Sequence, residues 1–115
     1  MKKETLLDLI SEVLNQNKII GKPEEMPYEV GEAYFFRTVT YHTLGRVKNI
    51  IGDVLVLEEA SWVADSGRLN EFVNDGKVYE STSSEIEPIE VEMYLHKSAI
   101  CDAFKWKHKL PNKVK

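Results

Sequence analysis

The stretch Tyr34-Phe35-Phe36-Arg37-Thr38-Val39-Thr40-Tyr41-His42-Thr43-Leu44-Gly45-Arg46-Val47-Lys48 is dominated by β-branched and aromatic residues and broken by one glycine. Residues of this kind fit a pleated, half-buried surface. A second apolar run, Val54 to Val63, follows after the turn Gly52-Asp53. The pattern predicts one long strand, bent at Gly45, paired to a shorter buried strand. Alternation puts Phe35, Arg37, Val39, Tyr41 and Val47 on the core side of that strand. Thr38, Thr40, His42, Leu44, Arg46 and Lys48 fall on the other. The fold class expected is mainly β with minor α: a small Sm/SH3-like barrel with an N-terminal amphipathic helix and a short inserted helix.

Outward from this centre, residues 1–27 read as an N-terminal helix and linker. Leu6, Leu9, Ile10, Val13 and Leu14 share one helical face, and Gly21 and Pro23 end the pattern. Residues 28–110 are the barrel, with the helical insertion near 65–75, and residues 111–115 are a basic tail. In the insertion Asp65 or Ser66 can cap a helix whose face is Leu69, Phe72 and Val73, and Asn74-Asp75-Gly76 ends it. Residues 80–87 are polar and read as a loop. Ile89–Leu95 alternates as a strand, and Ser98–Phe104 reads as the last.

The 115 residues suffice for a single core without metal or disulfide staples. Cys101 is the one cysteine. Its neighbours Ala99, Ile100 and Ala103 suggest a buried, inert thiol in a reducing compartment. Acids at 4, 8 and 12 interrupt any signal-peptide core, and no apolar run is long enough for a membrane span. A cytoplasmic protein is expected, including the cytoplasm of an infected host cell, with no membrane partner. Net charge is −4, yet residues 105–115 hold five lysines and no acid, so the rest of the chain carries −9. An acidic body argues against broad nucleic-acid coating. A basic tail could contact the acidic face of a neighbouring subunit.

Arg37 falls among core positions and needs a partner there; Glu58 or Glu59 is the candidate. A structural ion pair is the plainer reading, and anion recognition the sharper one. Ser66-Gly67-Arg68 opens a helix and could seat a phosphate or simply cap. Thr40, His42 and Arg46 form a polar strip suited to a base, a phosphate, solvent or a subunit. Lys105-Trp106-Lys107-His108-Lys109 suits stacking on single strands or docking on a partner, with Trp106 as a packing anchor. Glu90 and Glu92 share a face with Tyr94, as on a solvated or interface edge. The histidines and Cys101 lack metal-ligand spacing, and no nucleophile elbow, phosphate loop or acid–base pair stands out. No metal, cofactor or catalytic residue is therefore expected.

The order of elements resembles the Sm-like small barrel, which has an N-terminal helix, a bent strand pair, and a late strand pair split by a tight turn. Met93-Tyr94-Leu95-His96-Lys97-Ser98-Ala99-Ile100 resembles a stretch of the bacterial Sm-like RNA chaperone, with the order of His96 and Lys97 reversed. That resemblance implies a ring and an RNA-binding role for His96. Arg37-Thr38-Val39-Thr40, Gly45-Arg46, the run Leu57 to Arg68, and Trp106-Lys107-His108-Lys109-Leu110-Pro111 resemble a family of small phage and prophage proteins. That resemblance implies a virion component or an accessory protein and brings no activity. The function expected is a non-catalytic homo-oligomer with a virion, assembly or accessory role, with phage structural proteins as candidate partners. The alternative is an RNA- or nucleotide-binding Sm-like ring, including a nucleotide-sequestering anti-defence protein. Its ligand residues would be Arg37, His42, Arg46, Arg68 and His96. Interface residues would be Glu90, Glu92, Trp106, Lys107 and Lys109.

Overall fold

In the computed structural model, which describes residues 27–115, the stretch from Tyr34 to Lys48 forms two strands. β1 (Ala33–Arg37) and β2 (His42–Ile51) make an antiparallel hairpin with Arg37 opposite His42. The turn 38–41 contains no glycine, proline, Asn or Asp, so the sequence reads straight through it. Thr38 supplies what a turn residue would. Its amide donates to Tyr41 O at 3.2 Å, and its hydroxyl donates to the same carbonyl. Val39, expected in the core, is 88% exposed at the turn. The expected helix over residues 4–16 lies outside the described residues.

β3 (Val54–Asp65) pairs with β2 along most of its length and is longer than the apolar run suggested. Its other side is shared. Residues 61–65 pair with β4 (Glu85–Pro88), and residues 54–57 pair with β5 (Met93–His96). A 3-10 turn, Lys97–Ala99, leads to β6 (Asp102–Lys105), which pairs with β1. The antiparallel sheet thus runs β4-β3-β2-β1-β6, with β5 on β3 beside β4. The region 80–87 was expected to be loop throughout, but the β3 edge recruits 85–88. The strand expected over 89–95 shrinks to 93–96, and Val91 is exposed.

Gly45 does bend β2. Opposite it, β3 carries an extra residue between Glu58 and Ser61, and Glu59 takes φ +50 there. A Cβ on Gly45 would stand 3.3 Å from Ala60 Cα, tighter than ordinary contact, so glycine allows the strands to approach. The bulge re-aims the side chains and lets both faces of the sheet be buried. On one face Tyr34, Phe36, Val47, Leu55, Leu57, Ala60 and Leu95 cluster. On the other Ala33, Phe35, Leu44, Val63 and Ile86 pack under Phe72 of α1 (Leu69–Asp75) and under Val78, Trp106 and Leu110. The short helix and the lysine-rich segment are therefore the cover of the second core. Trp106 is the anchor its sequence context suggested: it is 3% exposed, with its ring 4.9 Å from Phe72.

Neither Asp65 nor Ser66 caps α1. Arg68 occupies the N-cap position without a side-chain bond, and the Asp65 carboxylate instead accepts the Gly67 amide at 2.8 Å. Gly76 ends the helix in the left-handed region, φ +66, as the turn signal implied. Cys101 is exposed, contrary to expectation. It lies just before β6, where its amide donates to Arg37 O and Ile100 supplies the core contact.

Candidate functional site

The structure brings Arg37 and His42 together as cross-strand partners and places Arg46, Arg68 and His96 elsewhere. Arg37 closes β1 and forms a two-pronged pair with Asp102 of β6, Nε to Oδ1 at 2.7 Å. Its guanidinium lies 5.4 Å over the Phe104 ring. The partner is thus Asp102, not Glu58 or Glu59, because β1 pairs with β6 on that side. His42 accepts the Thr38 amide through Nδ1 at 3.3 Å and sets its ring edge against Phe35. Arg46 donates to Glu59 at 2.9 Å and to Gly31 O at 2.9 Å. His96 ends β5 and is exposed.

Hydrogen bonding to Arg37 holds the Asp102 carboxyl below its ordinary value, and the same bond raises the Arg37 guanidinium. Both side chains are more than a third exposed, so solvent limits the pair to about 1 kcal/mol at most. Because the folded value is the depressed one, this contribution is present above the usual carboxylate range and is lost as pH falls below it. Asp102→Asn should therefore cost up to about 1 kcal/mol at pH 7. It should also flatten the fall in stability below about pH 4, the ordinary titration range of aspartate. Urea unfolding at pH 7 and pH 3 measures both effects; equal acid sensitivity in variant and parent would refute the pairing.

Among the grooves of the described residues, three stand out. The first, about 560 Å³, lies between the 109–114 segment and residues 88–90, over Ala60, with Arg46, Glu59, Glu90 and Lys109 at its rim. The second, about 610 Å³, is bounded by Arg68, Glu71, Lys77, Glu80, Ser81, Thr82 and Ser83. The third, about 320 Å³, runs beside His108 and Tyr79. None of these three is lined by more than one of Arg37, His42, Arg46, Arg68 and His96.

Of the expected interface residues, Glu92 pairs with Lys48 in its own chain, and that hydrogen bond lowers the Glu92 carboxyl. Glu90, Lys107 and Lys109 are exposed, whereas Trp106 is inside the core and cannot face a partner. The basic segment is not a free tail. Lys115 exchanges two backbone bonds with Ile86 at 2.8 and 3.0 Å, covering the β4 edge. Its Nζ reaches Val78 O, Ser81 O and Ser84 Oγ.

Among the described residues the sheet retains two bare edges. Among the described residues no strand pairs with the outer side of β5 or of β6. Tyr94 on β5 is 62% exposed, and Val91 just before it is 71% exposed. Sequence reading missed these edges because the split of β3 between two partners leaves no local signal. It also missed Lys77, and the hydroxyl run Ser81-Thr82-Ser83-Ser84 reads only as polar loop. Among the described residues no three His, Cys, Asp or Glu side chains gather to hold a metal ion, and no helix is long and apolar enough to cross a membrane. No family model, curated protein or solved structure matches the chain.

Proposed function

We propose that this chain is a non-catalytic, phage-type assembly protein that forms a homo-oligomer through its sheet edges, with a virion, assembly or accessory role in the host cytoplasm. The observation that carries the reading is the pair of bare edges, β5 and β6, joined by one 3-10 turn. The succession β6-β1-β2-β3-β5 supports a Sm/SH3-like barrel, in which these two strands flank the opening. An uncovered edge is a template for another strand. Edge pairing between copies is heterologous and closes into a ring when the rotation permits. Such a contact would also cover Tyr94 and Val91. Binding of RNA or nucleotide by Arg37, His42, Arg46, Arg68 and His96 has less support, since Arg37 and Arg46 are already engaged.

Proline on the β5 edge tests the reading. The Lys97 amide bonds Asp53 O, and antiparallel alternation then directs the Leu95 amide toward β3 and the Tyr94 amide outward. Proline is tolerated on an edge where its missing N–H faces away from the sheet. Tyr94→Pro should reduce the mass in light scattering to that of one chain while leaving a cooperative unfolding transition. An unchanged assembly mass in the folded variant would overturn the β5 contact.

A further inference from the structure

The groove beside α1 contains four charged side chains that do not use one another. Arg68, Glu71, Lys77 and Glu80 line the same space of about 610 Å³, and among the described residues none forms an ion pair or side-chain hydrogen bond. The volume is that of a small-molecule site.

The backbone around the groove is held from three sides. Asp65 fixes the Gly67 amide, placing Arg68 at one wall. The helix ends in a glycine motif in which the Lys77 amide returns to Glu71 O at 3.2 Å, so Lys77 and Glu71 are set side by side. The serine loop forms the third wall. Ser84 Oγ donates to Val78 O, the Ser83 amide donates to Ser81 Oγ at 3.3 Å, and Lys115 Nζ gathers the carbonyls behind the loop. Gly67 has φ +75, and a Cβ there would meet Ser81 Oγ at 2.4 Å. The loop hydroxyls thus rest against the backbone that carries Arg68.

We infer that this groove binds a phosphorylated sugar, as a free sugar phosphate or as part of a nucleotide. Arg68 and Lys77, with the Ser81, Thr82 and Ser83 hydroxyls, provide donors for the phosphate. Glu71 and Glu80 accept from sugar hydroxyls, the use a carboxylate serves toward ribose in dinucleotide sites. A plain anion would satisfy only the cations, whereas a ligand bearing both groups satisfies all four charges. The inference is independent of the assembly reading, since the groove lies away from β5 and β6.

The test is an amide NMR titration of the full chain with inorganic phosphate, ribose 5-phosphate, adenosine and adenosine monophosphate. Ribose 5-phosphate and adenosine monophosphate should shift Arg68, Lys77 and residues 81–83 saturably, and bind at least about tenfold tighter than phosphate or adenosine, the value of one charge-assisted contact. Tighter binding of the nucleotide than of ribose 5-phosphate would assign the source as nucleotide, and equal binding as sugar phosphate. Arg68→Ala, at an exposed position, should weaken binding by a similar factor with its spectrum otherwise intact. Glu71→Gln should narrow the margin over phosphate. Lack of saturable shifts, phosphate binding as tightly as ribose 5-phosphate, or full binding by Arg68→Ala would each overturn the inference.

Discussion

Phe35→Ala is expected to remove about 3–5 kcal/mol of stability, the range for truncating a buried aromatic. Phe35 is completely buried and joins four elements. Its ring lies 4.8 Å from Phe72 of α1, 6.4 Å from Phe104 of β6 and 5.6 Å from His42 of β2. The cavity would open beneath the helix, where packing partners on both sides are held by the sheet and cannot collapse fully. For a chain of this size the loss corresponds to roughly 12–25 °C in the unfolding midpoint. Val39→Ala is the contrast. Val39 was expected on the same core face, yet it sits exposed in the turn, so its substitution should stay within about 0.5 kcal/mol. Calorimetry on the two variants separates the hairpin from a continuous long strand. Comparable losses at both positions would contradict the hairpin.

Gly76→Ala should cost about 2–3 kcal/mol, more than the ~1 kcal/mol of left-handed backbone alone. The added Cβ would stand 2.6 Å from His108 Cγ, so the imidazole must leave. With it goes the Nε2–H bond to Val73 O at 2.9 Å, which satisfies one of the last carbonyls of α1, and the edge contact with Trp106. Removing His108 first should reveal this coupling. In a His108→Ala background the penalty of Gly76→Ala should drop to about 1 kcal/mol. Equal penalties in both backgrounds, measured by urea unfolding, would show that the imidazole is not the obstacle.

The same two residues show how much was legible in the sequence. Gly76 follows Asn74-Asp75, and its role as a helix stop is local chemistry, visible without coordinates. The packing of Trp106, the helix face of Leu69, Phe72 and Val73, and the irregularity at Gly45 were likewise carried by residue type and spacing. The turn at 38–41 was hidden because Thr38 does with its hydroxyl what glycine or asparagine usually does in a turn. The partner of Arg37 was hidden for a different reason: Asp102 is 65 positions away, and only the β1–β6 pairing brings it close. Lys77 and the 81–83 hydroxyls belong to the groove through a helix stop and a loop folded back on Gly67, contacts that no alternation records. The lysine-rich end looked like a free basic tail because charge patterning does not show that Leu110 and Pro111 are buried or that Lys115 covers the β4 edge.

Assembly through the bare edges of β5 and β6 is read out by native mass spectrometry of the untagged, unaltered chain. A discrete multiple of the 13.2 kDa chain that persists on dilution to low micromolar concentration is expected. A single species of 13.2 kDa at tens of micromolar would contradict it.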